Sequence, residues 1–172
     1  MQSASSIVLA CALAACSAAP TPTAAKEPMP AESNRQIVRR LYADYLNPGN
    51  LDHLGDLVSD DFVGRDGVRG AAGFAASIRG LRAAFPDLTY TLEDVTAEDD
   101  RVAVRWTLRG TFNGPFRGVA PTQQRIENTG FAMFQLAHGK LIRATVETDR
   151  LGFLQAIGVL AYDPAFGPPP KK

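Results

Sequence analysis

The sequence predicts an α+β domain in which three helices precede a meander of antiparallel strands. Three observations predict it. Before Pro86 the apolar residues recur at helical spacing, after Pro86 they alternate with a period of two, and turn signatures separate the segments. Helices segregated ahead of strands imply that they pack together on one face of a curved sheet.

The first helix is expected to open at Ser33, which forms a capping-box pattern with Gln36. Ile37, Val38, Leu41, Tyr42, Tyr45 and Leu46 give its apolar stripe, and Asn47-Pro48-Gly49 stops it. Asn50 is placed to cap a short second helix with Leu51, Leu54, Leu57 and Val58 inward. The charged, glycine-rich stretch 60–70 reads as a loop around Phe62. Phe74, Ile78, Leu81 and Phe85 form the stripe of a third helix, which Pro86 ends.

Strands follow. Thr89 to Val95 is the first, and Glu98-Asp99-Asp100 a turn. Val102, Val104, Trp106 and Leu108 then alternate with Ala103, Arg105, Thr107 and Arg109, the signature of a half-buried strand. Residues 110–122 are rich in glycine and proline and read as a loop. Arg125 to Leu136 and Lys140 to Thr148 are two further strands around a His138-Gly139 turn, and Asp149 to Ile157 is a terminal helix.

The ends of the chain differ from this domain. No charged side chain precedes Lys26, and Ile7 to Ala15 is a short apolar run, fitting a secretory signal over residues 1–15. Leu13-Ala14-Ala15-Cys16 matches a bacterial lipobox, so Cys16 is the expected lipidation point. The alternative is an ordinary signal peptide that contains cysteines. Residues 16–32 read as a lipidated cysteine and flexible tether, 33–160 as the domain, and 161–172 as a proline-rich tail. The expected place is the cell envelope after export, with membrane contact only through the lipid. Both cysteines precede the domain, which excludes a disulfide or a thiol nucleophile within it. Lysine plus arginine equals aspartate plus glutamate at 18 each, so the balance gives no pull toward nucleic acid. His53 and His138 have no second histidine or cysteine at ligand spacing, so no metal is expected.

Four stretches in this order resemble one family. They are IVRRLYADYLNPGNLDHLGDLVSDDFV, LRAAFPDLTYTLEDVTAEDDRVAVRWTLRGTFNGPFRGVAPT, TGFAMFQLAHGKLI and TDRLGFLQAIG. They resemble the SnoaL-like polyketide cyclases, or ester cyclases, of the nuclear-transport-factor-2-like superfamily. The resemblance implies a cone, with three N-terminal helices on a curved, mostly antiparallel sheet enclosing a pocket. It also implies a homodimer through the outer sheet face, which would place Ala103, Arg105, Thr107 and Arg109 at an interface or its rim. The implied chemistry is an aldol-type ring closure without a cofactor, acting on a small apolar carbonyl compound. The family's catalytic aspartate falls on Asp149. Its histidines are replaced: Gly64 and Arg65 follow Phe62, Phe112 stands in the GTFNG run, and Ala144 and Thr145 replace a His-Trp pair.

Glu147 and Asp149 are two apart on a strand and would face one way, as a carboxyl pair for acid/base work, in a row with Arg143 and Thr145. The competing assignment makes Asp149 the cap of the terminal helix. Trp106, Tyr42, Tyr45, Phe62, Phe112, Met133 and Thr145 are the candidate ligand-lining residues, with ordinary core as the alternative. Three functions stay open: an acid/base enzyme, a non-catalytic binder of a small apolar molecule, and a dimeric interaction module. A charged pair in a closed pocket favours the first, an apolar pocket the second, and a large apolar surface without a pocket the third.

Overall fold

A computed structural model of the chain describes residues 31–162 and 165. The signal segment, Cys11, Cys16 and the tether as far as residue 30 lie outside the described residues, while the last two residues of the expected tether, Ala31 and Glu32, open α1. The element order is α1 (Ala31–Arg40), a π-helical continuation (Leu41–Leu46), a 3₁₀ segment (Leu51–Asp56), β1 (Val58–Val63), a 3₁₀ turn (Arg65–Gly67) and α2 (Gly70–Ala84). Then come β2 (Thr89–Glu98), β3 (Arg101–Thr111), β4 (Arg125–Ala137), β5 (Lys140–Thr148) and α3 (Arg150–Ala156). One five-stranded sheet has the order β1-β5-β4-β3-β2. All pairings are antiparallel except β1 with β5. This is the expected α+β cone: a curved, mostly antiparallel sheet with the helices on its inner face.

Four expectations change. Helix α1 already covers Ala31, so Ser33 lies inside the helix rather than ahead of it. Asn50 precedes a 3₁₀ segment and makes no side-chain cap. Val58 is not part of that helical segment but opens β1. The first part of the expected loop, the part holding Phe62, is β1 itself, an edge strand beside β5. Its Asp60 and Asp61 are exposed, as charges on an edge strand should be, and they hid the strand in the sequence.

The π-helical turn has a sequence cause. Apolar pairs recur every four residues at Ile37-Val38, Leu41-Tyr42 and Tyr45-Leu46. An α-helix would rotate such pairs by about 40° per repeat away from the core. The wider turn keeps Leu41, Tyr42, Tyr45 and Leu46 all buried.

The core lies between the helices and the inner row of the sheet. Val102, Val104, Trp106 and Leu108 of β3 are buried, and their β4 partners include Phe134, Ala132, Gly130 and Asn128. Tyr42 packs edge-on against Tyr90 and Phe134, and Tyr90 against Trp106, with centroids 5.5, 6.3 and 5.3 Å apart. Phe62 stacks on Phe74 of α2. At the other end Phe85 stacks on Phe112 and meets Phe116 and Phe153, which ties α2 to the 112–124 loop and to α3.

Polar side chains close the junctions. Arg82 Nη1 donates to the carbonyls of Leu46, Asn47 and Leu88. The Asn47 side chain accepts from Tyr90 N and donates to Tyr90 O, locking the helical hairpin to β2. Asp87 accepts from the Thr111 amide and hydroxyl at 2.6 and 2.7 Å, which holds its carboxyl below the ordinary value.

Candidate functional site

Strand β5 decides where the candidate carboxylates point. It pairs with β4 through Gly130↔Thr148, Ala132↔Val146 and Phe134↔Ala144, so Ala144, Val146 and Thr148 share the inner face with the core. Arg143, Thr145 and Glu147 therefore face outward, and all three are exposed. The polar row does not turn into the space beneath the sheet. The apolar row does, because it is the one that can pack against Phe134 and the helices.

Asp149 follows the end of β5 and caps α3. Its Oδ1 accepts from Gly152 N at 2.8 Å, and its backbone carbonyl accepts from the buried Asn128 side chain at 2.7 Å. Gly152 is required for this geometry, since a Cβ there would overlap Asp149 Oδ2. Asparagine caps a helix about as well as aspartate. Asp149→Asn should therefore melt within about 0.5 kcal/mol of the wild type, whereas Asp149→Ala should lose about 0.5–2 kcal/mol in chemical denaturation. Equal losses in both variants would mean that the charge matters and not the cap.

The aromatic candidates separate into two places. Tyr42, Tyr45, Phe62, Trp106 and Phe112 are buried in the core under the sheet. Burial, with Tyr90 adding to it, pushes the Tyr42 phenol well above its ordinary range, and burial also raises that of Tyr90. Both rings are thus neutral at physiological pH rather than bases. Tyr45 Oη donates to Asp56 at 3.4 Å. Met133 lies on the outer face instead, opposite Thr145 and Ala103.

An open cleft of about 170 Å³ collects Val63, Gly64, Arg65, Arg143, Ala144, Thr145, Val146 and Glu147. It forms because β1 pairs with β5 only at Val58↔Leu141 and Val63↔Arg143 and then departs, leaving the β5 edge uncovered. Arg65 fills part of the gap. Its Nη1 donates to Val146 O at 2.8 Å and lies 3.9 Å from Glu147 Oε2. The Arg65 side chain is 33% exposed and that of Glu147 70%. Of the sequence candidates, Thr145 and Glu147 meet here; Asp149 does not line the cleft.

Arg65 was absent from the sequence candidates, yet a signal for it existed. Gly64-Arg65 and Ala144-Thr145 are two of the places where the resembled family carries histidines, and the fold brings both into this one cleft. Among the described residues, no group of three or more His, Cys, Asp or Glu could hold a metal ion. No described helix is long and apolar enough to cross a membrane.

The family model for SnoaL-like polyketide cyclase matches residues 36–157. Among solved structures, the chain is similar to a candidate SnoaL-like polyketide cyclase from Jannaschia sp. CCS1, with 29% identity, 78% of this chain and 99% of that one covered, and a TM-score of 0.70. It is similar to IdmH, a candidate polyketide cyclase from Streptomyces antibioticus, with 28% identity, 73% and 99% coverage, and a TM-score of 0.65. It is also similar to AclR, a candidate hydroxylase from Streptomyces galilaeus, with 26% identity, 79% and 87% coverage, and a TM-score of 0.70. No curated protein matches the chain.

Proposed function

Because the chain belongs to the SnoaL-like polyketide cyclase family, which supports a cyclase- or isomerase-type function, we propose that it catalyses cofactor-free enolisation and aldol-type closure of a small carbonyl compound. The observation that carries this reading is the Arg65–Glu147 pair in the β5 cleft. Glu147 takes the proton from the carbon next to the carbonyl. The Arg65 guanidinium, fixed by its bond to Val146 O, stabilises the enolate oxygen that forms. The enolate carbon then attacks a second carbonyl of the same molecule, forming the C–C bond, and the resulting alkoxide takes the proton back from Glu147.

The test is deuterium wash-in. NMR of acetylacetone in D₂O should show exchange at the central carbon faster with protein than in buffer. The cleft is open, so Glu147 trades its proton with solvent and exchange reports the first step without the true substrate. A rate equal to buffer would exclude the enolisation.

One observation favours a second reading. Asp149, the position matching the family's catalytic aspartate, is occupied in capping α3. A non-catalytic, lipid-anchored envelope protein that binds a small apolar molecule fits that arrangement, and its signature is binding without exchange. Neighbours described as a cyclase and as a hydroxylase support the point that this fold does not fix the chemistry.

Two further proposals come with either reading. Two copies pair through the outer sheet face along the β3 row of Ala103, Arg105, Thr107 and Arg109, with the Arg105–Asp94 and Arg109–Glu127 ion pairs at its rim. Light scattering should give twice the monomer mass, and a monomer at all micromolar dilutions would remove this. The chain is exported, cleaved before Cys16 and acylated there. Mass spectrometry of protein from native membranes should find an acylated chain beginning at Cys16, and persistence of the uncleaved form would refute it.

A further inference from the structure

The cleft on β5 holds more positive charge than the proposed chemistry uses. Two arginines, Arg65 and Arg143, line it with one carboxylate, Glu147, and a second carboxylate, Asp66, lies 3.8 Å from Arg65 outside the lining. Arg65 is committed by its bond to Val146 O and its approach to Glu147. Arg143 is not. It is exposed on the outer face of β5, next to the point where β1 leaves, and no described carboxylate pairs with it. Elsewhere on the outer face Arg105 and Arg109 are matched by Asp94 and Glu127 at 2.7 and 2.9 Å, Arg101 lies 3.8 Å from Asp100, and the charge of Arg125, at the start of β4, acts on Asp87. At the cleft, Arg143 has no such carboxylate among the described residues.

Arg143 and Thr145 stand two apart on one strand face, about 7 Å apart along the strand. A carboxylate seated between them could accept two parallel N–H bonds from Arg143 and one O–H bond from Thr145. Glu147 is the next residue of the same row. A ligand held by its carboxylate at Arg143 would extend along the row and present its middle carbons to Glu147 and Arg65.

We propose that the cleft recognises a small β-keto carboxylate, with Arg143 as the residue that selects the negative charge. This rests on the enolisation reading for its orientation but not for its binding. The expected compound therefore carries an acidic C–H between a ketone and a carboxylate, and it differs from the neutral apolar molecule anticipated from the sequence.

The experiment titrates the folded protein with acetoacetate and with methyl acetoacetate, which share the ketone and differ in charge. Binding is followed by amide shifts of residues 63–65 and 143–147. Acetoacetate should bind at least about tenfold more tightly, the ratio of a single charge-assisted pair. Arg143→Gln should erase that preference, Arg143→Lys should keep part of it, and added salt should weaken it. Equal binding of acid and ester, no shift at millimolar acetoacetate, or an unchanged preference in Arg143→Gln overturns the proposal. Displacement by inorganic phosphate at equal concentration overturns the carboxylate assignment. Acid preference without α-proton exchange leaves the carboxylate site standing and removes the enolisation. Exchange without acid preference does the reverse.

Discussion

Gly130→Ala should destabilise the domain by about 3 kcal/mol or more, because the inserted methyl has no space. Gly130 faces Trp106 across the β3–β4 ladder. A Cβ there would overlap the Trp106 ring carbons and lie 2.8 Å from the Glu147 carbonyl oxygen. The ring cannot simply turn away, since Tyr90 meets it edge-on with centroids 5.3 Å apart and Trp106 is only 4% exposed. The backbone of β5 is the other wall, and it is held in the ladder by Gly130↔Thr148 and Phe131↔Glu147. For a domain of this size the expected loss in melting temperature is roughly 6–12 °C. The cause is separable. Trp106→Leu removes the ring, so the Gly130→Ala penalty measured in a Trp106→Leu background should fall by more than half. An unchanged penalty there would mean that strain at Glu147, and not the ring, sets the cost.

The same residues show what the sequence can and cannot convey. Period and punctuation were enough for α2, for the β3 alternation and for most of the 110–122 loop, because each has one apolar face or a clear run of glycine and proline. The first two residues of that expected loop extend β3, and the loop runs on to residue 124. Strand β1 was hidden because Asp60 and Asp61 break the pattern, and because an edge strand needs only Val58 and Phe62 to be buried. Met133 was unreadable for the opposite reason. Strand β4 is apolar on both faces around it, with Ala132 and Phe134 inward and Phe131 and Met133 outward, so alternation does not say which row meets the core. For β5 the sequence offered two clean rows but not their direction. That was set by long-range pairing with β4, which no local pattern contains. Arg65 entered the site for a related reason: it reaches Val146, a residue 81 positions away.

Glu147→Gln should lower α-proton exchange by about 10²–10⁴-fold, the contribution of a positioned general base. Glutamine keeps the shape and can still accept a bond from Arg65, but it cannot take the proton. Stability should not move by more than about 0.5 kcal/mol, since the side chain is 70% exposed and its partner nitrogen is 3.9 Å away. A loss of rate at constant stability is therefore the expected pattern. Glu147→Asp should fall between wild type and Glu147→Gln, because the carboxylate is retained but withdrawn from the cleft by one methylene. Arg65→Met behaves differently: it loses rate and also stability, because the Val146 carbonyl loses its donor. The Asp149 variants complete the comparison. If Glu147→Gln exchanges at the wild-type rate while Asp149→Asn is inactive and fully folded, the base is Asp149. The geometry predicts the reverse order, because Asp149 Oδ1 is already accepting the Gly152 amide at 2.8 Å and lies outside the cleft lining.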